Sequence, residues 1–524
     1  MSRHHHKDRL TLNEIHDLLD DIDQETVRVA INPPHEEPDA NTDCDSDASD
    51  DEVTCNPDHL PRRILSAEVN SIANEEPLEE NEDTNHDLES PSTSAEPPKK
   101  RKKRTRKYEW HQNKIRVMNT VPDYVQHQIM NSLNSKKNPE DCIKLFWTDE
   151  WIEELCEQSK LYASQKSLPS DHVTPEKLKV FITVLVISGY NKLPSRRLYW
   201  SESPDVFNQL ISESIRRDAF EQIMHCLHFA DNMKMTDDKF YKVRPLIQHL
   251  NQVNKPKYSQ EFYSIDEVII PYYGRHSSKQ FIKGKPIRFG FKVWAACTAD
   301  GFLLHAEPYC GLYTNISDTG LGQGPNVVME MVKKINLEAG QHVVFDNLFT
   351  SVPLLEKLGD QGIGATGTLR EDRLSGAPVM AKKIMEKKTR GYMEEAFTGC
   401  IPVVKWKDNK VVAVGSNKER KTPVNKTKRW CKREKKHVEI DMPHSVKVYK
   451  QNMGGVDIFD QQVSAYRIRI RSKKWWWPIF AWSVNAQVTN AWQLYRKLGN
   501  NISLLDFLRH FAIAIMKEFG KVMV

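Results

Sequence analysis

No two cysteines in this 524-residue chain stand in a Cys-x-x-Cys pair. Its nine cysteines are scattered from Cys44 to Cys431, without the paired spacing of a zinc site, so no zinc is expected. The odd count and irregular spacing argue against a disulfide scaffold and fit reduced thiols in an intracellular chain. A clean apolar run of about 20 residues is also missing, which excludes a helical membrane span. The opening Met1-Ser2-Arg3-His4-His5-His6 lacks the apolar core of a secretory signal, and its histidines read as a flexible polar terminus rather than a metal site. Apolar residues make up only 39% of the chain. That is low for a wholly globular protein, so part of the chain is expected to be disordered.

The formal net charge of +4 hides an asymmetry. Residues 1–98 hold 27 acids against 6 Lys and Arg, a net of −21, which leaves 69 bases and 44 acids, a net of +25, for the remainder. A body of that charge calls for a polyanion, and nucleic acid is the usual one; acidic proteins are the alternative. Residues 9–25 carry Leu10, Leu12, Ile15, Leu18 and Leu19 with helical spacing. Residues 31–98 are rich in Asp, Glu, Ser, Asn and Pro and cannot bury enough apolar surface to offset chain entropy. They serve either as a solvated spacer or as a mimic of DNA charge. Lys99, Lys100, Arg101, Lys102, Lys103 and Arg104 then open a basic run to Lys107, of the kind a nuclear import receptor reads. Nuclear localisation follows from that reading.

From about Asp141 to Gln260 the pattern is helical, with buried helices expected over Lys177–Tyr190 and Ser214–Phe229. Arg196, Arg197, Arg216 and Arg217 are either phosphate contacts or a solvated face. Strand character appears at Phe262–Tyr273, followed by a hairpin of Ile287–Thr298 with Gly301–Tyr309. A helix is expected at Asn326–Ile335, a strand at His342–Asp346, a helix at Ser351–Leu358 and a strand at Ile363–Leu369. That order indicates a mixed α/β sheet. A Lys-rich stretch over 371–440 holds a strand pair, Ile401–Trp406 with Lys410–Gly415; a strand at Ser445–Tyr449 and long helices complete the chain.

Three aspartates sit in settings built to hold a carboxylate. Asp266 lies among Ile265, Val268, Ile269 and Ile270, where a lone buried acid costs several kcal/mol unless a cation or donors satisfy it. Arg275 or Lys292 could be its structural partner. Asp346 ends an apolar strand, where ligand sites of α/β sheets tend to lie, or it is a turn residue. Asp457 follows Gly454-Gly455, where an acid favours a helix N-terminus, and Asp460 shares its face at i+3. Converging carboxylates hold Mg²⁺, and paired Mg²⁺ ions cut and join phosphodiesters. The segment Arg467–Trp477 adds Arg467, Arg469 and Arg471 on one face of an extended chain, then Lys473 and Lys474. Its tryptophans 475–477 either stack on a base or pack under the next helix, and packing is expected for at least two.

The words around these acids are more specific. Ser264-Ile265-Asp266-Glu267, Gly274-Arg275, Lys283-Gly284-Lys285-Pro286-Ile287-Arg288-Phe289-Gly290, Phe345-Asp346-Asn347-Leu348-Phe349-Thr350-Ser351 and Gly454-Gly455-Val456-Asp457 resemble the piggyBac transposases. So do Arg216-Arg217-Asp218-Ala219-Phe220-Glu221 and Leu227-His228-Phe229-Ala230-Asp231-Asn232, over roughly residues 140–500. The resemblance implies an α/β, RNase H-like (retroviral-integrase-like) catalytic core with an inserted β-containing domain, a flanking all-α dimerisation and DNA-binding domain, and a disordered acidic N-terminus. On that plan 1–140 is the leader, 141–261 and 458–524 the helical domain, 262–370 and 441–457 the core, and 371–440 the insertion.

The resemblance further implies a DDE/D enzyme that cuts transposon ends, forms a hairpin and joins 3′ ends to a TTAA target. Asp266, Asp346 and Asp457 would hold two Mg²⁺ ions (Mn²⁺ as a substitute), with Asp460 as a further acid. Arg275, Lys283, Lys285, Arg288, Arg467, Arg469, Arg471, Lys473 and Lys474 are the candidate DNA contacts. The partners are double-stranded DNA, an import receptor and a second copy of the chain, with no membrane. Many members end in a cysteine-rich zinc module that reads transposon ends, whereas this sequence stops at Val524 without that spacing. The alternative is therefore a catalytically silent, domesticated nuclear DNA-binding or chromatin protein; an unrelated RNase H-like nuclease is a remote third.

Overall fold

A computed structural model describes residues 28–31, 69–72, 108–112, 121–124, 138–255, 260–282, 287–311, 314–374, 376–431 and 434–520. The basic run at 99–104, the helix expected at 9–25, and Lys283 and Lys285 lie outside these. Within the acidic leader, β1 (Arg28–Ile31) pairs antiparallel with β2 (Val69–Ile72), so the expectation of disorder over 31–98 does not hold for that short pairing. The rest of residues 1–107 lies outside the described residues.

The remaining elements belong to the unit spanning Arg106–Val524. Its helical part opens with α1 (Pro139–Lys144), α2 (Asp149–Gln165) and α3 (Pro175–Tyr190). Thr148 and Thr174 start α2 and α3 by accepting hydrogen bonds from the Trp151 and Lys177 amides, which satisfies otherwise bare donors. The short α4 (Gln209–Ser212), α5 (Arg217–Cys226) and α6 (Arg244–Val253) follow. Two of the four arginines in question at this end are locally paired: Arg196 grips Glu221 through two bonds of 2.9 Å, and Arg216 meets Asp218 at 3.0 Å.

The sheet begins with β3 (Phe262–Pro271), β4 (Lys279–Phe281), β5 (Phe289–Thr298) and β6 (Leu303–Pro308). Then come α7 (Gln323–Lys334), β7 (His342–Phe345), α8 (Val352–Asp360) and β8 (Gly364–Thr368). Strand β3 pairs antiparallel with β5 on one side and parallel with β7 on the other; β7 continues parallel to β8. The α9 turn (Lys382–Met385) leads to β9 (Met393–Thr398), β10 (Ile401–Lys407) and β11 (Val411–Ser416). The strand pair expected inside a separate 371–440 insertion is β10 with β11, but β11 adds antiparallel to the edge of β8. Strands β9–β11 therefore extend one nine-stranded sheet, and only β12 (Asn425–Cys431) with β13 (Lys436–Met442) stands apart as a ribbon.

The strand expected at Ser445–Tyr449 is instead a helix, α10 (His444–Asn452). Val446 and Val448 alternate as a strand would, but Ser445, Val448, Tyr449 and Asn452 follow helical spacing, and Pro443 sets the extended residue from which a helix starts. Next come α11 (Gly455–Ala465), α12 (Trp477–Lys497) and α13 (Leu504–Phe519). Helix α12 is buried nearly all round: Asn490 bonds the main chain of Leu303, and Gln493 reaches the Gly301 carbonyl at 2.7 Å. These bonds tie the helical part to the β5–β6 hairpin across one shared hydrophobic core. No helix among the described residues is long and apolar enough to cross a membrane, and the described cysteines are unbridged.

Candidate active site

Parallel pairing sets the first two acids side by side. Ile265 is in register with Phe345, so Asp266 on β3 and Asp346, just past the end of β7, occupy neighbouring positions. Each has one carboxylate oxygen pinned by a main-chain amide: Asp266 by Glu267 and Asp346 by Leu348, both at 2.8 Å. The Asp346 main-chain oxygen also accepts the Thr350 hydroxyl at 2.7 Å. The turn role considered for Asp346 is thus real, and it fixes the direction of the side chain. Lys292, considered as a partner for Asp266, is excluded by register. Asp266 faces Ala295, so Lys292 lies on the opposite side of the sheet, with its ammonium 3.9 Å from the Trp294 ring centre.

Tertiary packing brings in the third acid. Ser264 shares a strand face with Asp266, and its hydroxyl donates to the Met453 carbonyl at 2.6 Å. Gly455 opens α11 against the same spot: a β-carbon there would stand 2.3 Å from the Thr298 carbonyl oxygen and 3.0 Å from the Ser264 β-carbon. Asp457, exposed in the first turn of α11, is thereby held over the edge of β3.

Tyr449 on α10 lies within electrostatic range of these acids. Burial raises its phenol, a hydrogen bond with Thr368 opposes this, and the charges of Asp346, Asp266 and Asp457 push it further, to about 12. The phenol stays protonated throughout the neutral range. Asp460 lies on the flank. Burial lifts the Cys297 thiol well above its ordinary value, and Asp300, Asp266 and Asp460 reinforce that rise. The Arg467 guanidinium is lowered by burial while Asp460 opposes the shift. Among the described residues, no three His, Cys, Asp or Glu side chains form a group able to hold a metal as they stand. The donor chemistry suits a hard cation, since every acid offers oxygen, but the acids border Tyr449 without closing into a cage.

A family model described as Transposase IS4 matches residues 138–492. Human piggyBac transposable element-derived protein 3 is 33% identical over 529 residues, covering 98% of this chain and 88% of that protein. This chain belongs to the piggyBac transposase family. Human piggyBac transposable element-derived protein 2 is 34% identical over 477 residues, covering 88% of this chain and 78% of that protein. Among solved structures, the cryo-EM piggyBac transposase synaptic complex with hairpin DNA superposes with a TM-score of 0.63 at 22% identity, over 74% of this chain and 82% of that one. This likeness extends the relationship to the fold.

The basic residues of this piggyBac-family chain divide. Arg275 and Arg288 are exposed near the β4–β5 ribbon. Arg469, Arg471 and Lys473 are exposed along a segment that belongs to no sheet, while Ile468 and Ile470 between the arginines point into the core. The anticipated alternation is present, held not by a strand ladder but by the Ser188 hydroxyl, which accepts the Arg469 amide at 3.0 Å. Arg467 is half-buried, and its guanidinium donates to the Ser464 hydroxyl at 3.1 Å. Lys474 turns inward: its ammonium donates to the His225 and Met224 carbonyls at 2.8 and 3.3 Å, capping the end of α5. Trp476 and Trp477 are buried, and Trp475 packs on His276 with ring centres 4.4 Å apart.

Two functional neighbours escaped the sequence reading. Tyr449 was hidden in a segment taken for a strand. Arg373 sends one guanidinium nitrogen to the carbonyls of Asn347, Leu348 and Thr350 at 3.0, 3.1 and 2.8 Å, and Arg370 bonds the Asn347 side chain at 3.0 Å. The sequence Leu369-Arg370-Glu371-Asp372-Arg373 directly after a strand was the available signal.

Proposed function

We propose that this chain is a piggyBac-like DDE/D DNA transposase, or the descendant of one, built to cleave and join DNA strands at TTAA targets. The observation carrying this reading is the parallel β3–β7 register that sets Asp266 beside Asp346, with the first turn of α11 and its Asp457 packed at Gly455 against Thr298 and Ser264. The strand order β6–β5–β3–β7–β8, antiparallel through β3 and parallel beyond it, supports an RNase H-like core. In this reading Asp266, Asp346 and Asp457 hold Mg²⁺, with Asp460 beside them. When bound, such ions activate a water or a 3′-hydroxyl and stabilise the departing 3′ oxygen. The chain's own residues do the positioning. The Glu267 and Leu348 amides aim two carboxylates, the packed Gly455 places the third, and Tyr449 keeps a neutral donor among them. Arg275, Arg288, Arg469, Arg471 and Lys473 are exposed cations suited to phosphates; Lys474 is excluded by its α5 contacts. A nuclear, homodimeric protein recognised by an import receptor completes the proposal.

Purified protein with Mg²⁺ should nick or hairpin a cognate transposon end, and Asp346→Asn should abolish this while DNA binding survives. Undiminished cleavage by Asp346→Asn would sink the assigned chemistry. One observation favours the second reading, a silent DNA-binding protein: the acids do not form a closed metal group as they stand. Tight, salt-sensitive DNA binding, unchanged by metal and without cleavage of any end, would decide for it.

A further inference from the structure

Strand β9 ends the order of the large sheet, and an edge strand leaves the donors and acceptors of its outer side bare. Residues 108–112, which directly follow the basic run in sequence, cover part of that edge. The His111 amide donates to the Phe397 carbonyl, and the Phe397 amide to the His111 carbonyl, both at 2.8 Å. The Gln112 side-chain amide adds a bond to the Pro378 carbonyl at 2.8 Å. Trp110 is half-buried. It packs against the main core and also against a small cluster of Leu369, Leu374, Val403 and Ala413.

That small cluster carries the turn that grips the Asp346 loop. Leu369 follows the end of β8, and Leu374 closes the short helical turn Glu371–Leu374. Between these two apolar anchors stand Arg370 and Arg373. Their guanidiniums hold the Asn347 side chain and the carbonyls of Asn347, Leu348 and Thr350. The Leu348 amide in turn pins the Asp346 carboxylate at 2.8 Å. Lys405 fixes the turn from the sheet side. Its side chain is 1% exposed, and its ammonium donates to the Glu371 carboxylate at 2.6 Å and the Met380 carbonyl at 2.8 Å. A single helical turn is too short to hold itself, so its place depends on such anchors.

We propose that Trp110 is a positioning residue for the Asp346 loop. Docked through the edge of β9, it steadies the turn from which Arg370 and Arg373 clamp residues 347–350. The effect on rate rests on the transposase reading, whereas the effect on the loop stands without it. The aim of a reacting group governs the chemical step, and a small misplacement costs rate without costing affinity. Loss of the indole should therefore slow strand cleavage and leave DNA binding alone. The stretch beside the basic run is in this way part of the support of the site rather than a plain tether.

The test uses the full-length chain. Hydrogen exchange in Trp110→Ala should quicken about tenfold at residues 347–350 and 369–374, while β3 and β7 exchange as in the wild type. Trp110→Phe should restore most of the protection. His111→Pro removes the donor to Phe397 without altering the indole, and it should reproduce the loss. Mg²⁺-dependent nicking of a duplex carrying the transposon end should show a kcat about tenfold lower in Trp110→Ala at unchanged KM, with recovery in Trp110→Phe. Binding of the same duplex in EDTA should not change. Unaltered exchange at 347–350 in both Trp110→Ala and His111→Pro overturns the proposal. Uniform quickening across the sheet also overturns it, because it marks a purely structural role, as does a normal kcat despite local quickening. A wild type that nicks nothing sinks the transposase reading alone, and the exchange pattern still decides the positioning.

Discussion

Substituting the two glycines before Asp457 should have opposite outcomes. Gly454 has an ordinary φ of −77°, and a β-carbon there would meet nothing within 4 Å. Gly455 is pressed against the sheet, where a β-carbon would stand 2.3 Å from the Thr298 carbonyl oxygen. A tolerable contact needs about 3.2 Å or more, so Gly455→Ala must push the start of α11 roughly 1 Å off the end of β5. The strain should cost about 1–3 kcal/mol, and a 1 Å misplacement of a reacting group costs on the order of 100-fold in rate. Thermal melts and Mg²⁺-dependent cleavage of a transposon end read the two effects. Gly455→Ala should lower the midpoint and cut the rate about 100-fold, while Gly454→Ala leaves both near wild type. Equal behaviour of the two variants would refute the claim that close packing of Gly455 places Asp457.

Arg373→Met should bare the carbonyls of Asn347, Leu348 and Thr350 at about 1–3 kcal/mol for each one left without a partner. Hydrogen exchange at residues 347–350 should quicken and cleavage should fall. Arg373→Lys should recover part of both, since a single nitrogen serves all three carbonyls; identical losses in the two variants would remove the clamp. The pH dependence follows from four histidines held neutral by burial: His342 is pushed down to about 3, and His249, His276 and His305 to about 4. Each binds a proton more readily when unfolded, so stability should be full above about pH 6.5 and decline as pH falls toward 4. Chemical denaturation across that range checks the sign. A flat profile, or one that His342→Gln leaves equally steep, would contradict it.

Much of the fold was legible because its signals are local. The helix at Lys177–Tyr190, the β5–β6 hairpin and the strand ending at Asp346 were each carried by an apolar period a few residues long. Failures came where period and context disagreed. Ser445–Tyr449 alternates over too few residues to separate strand from helix, and that error concealed Tyr449. The 371–440 stretch looked separate because its Lys-rich composition masks strands whose pairing with β8 is nonlocal. Lys474 read as a phosphate contact because charge is visible in sequence, whereas the α5 carbonyls that bind it lie about 250 residues earlier.

Sequence alone determined the family and named the candidate acids, since both readings reside in short ordered words such as Phe345-Asp346-Asn347 and Gly454-Gly455-Val456-Asp457. It also determined the charge imbalance, a sum that needs no coordinates. Only tertiary structure set the positions of the candidate acids relative to one another. Parallel register puts Asp266 beside Asp346, and a β-carbon missing at Gly455 lets α11, which carries Asp457, pack against Thr298 and Ser264. Those contacts depend on distances between segments far apart in the chain, and spacing along a sequence does not encode them.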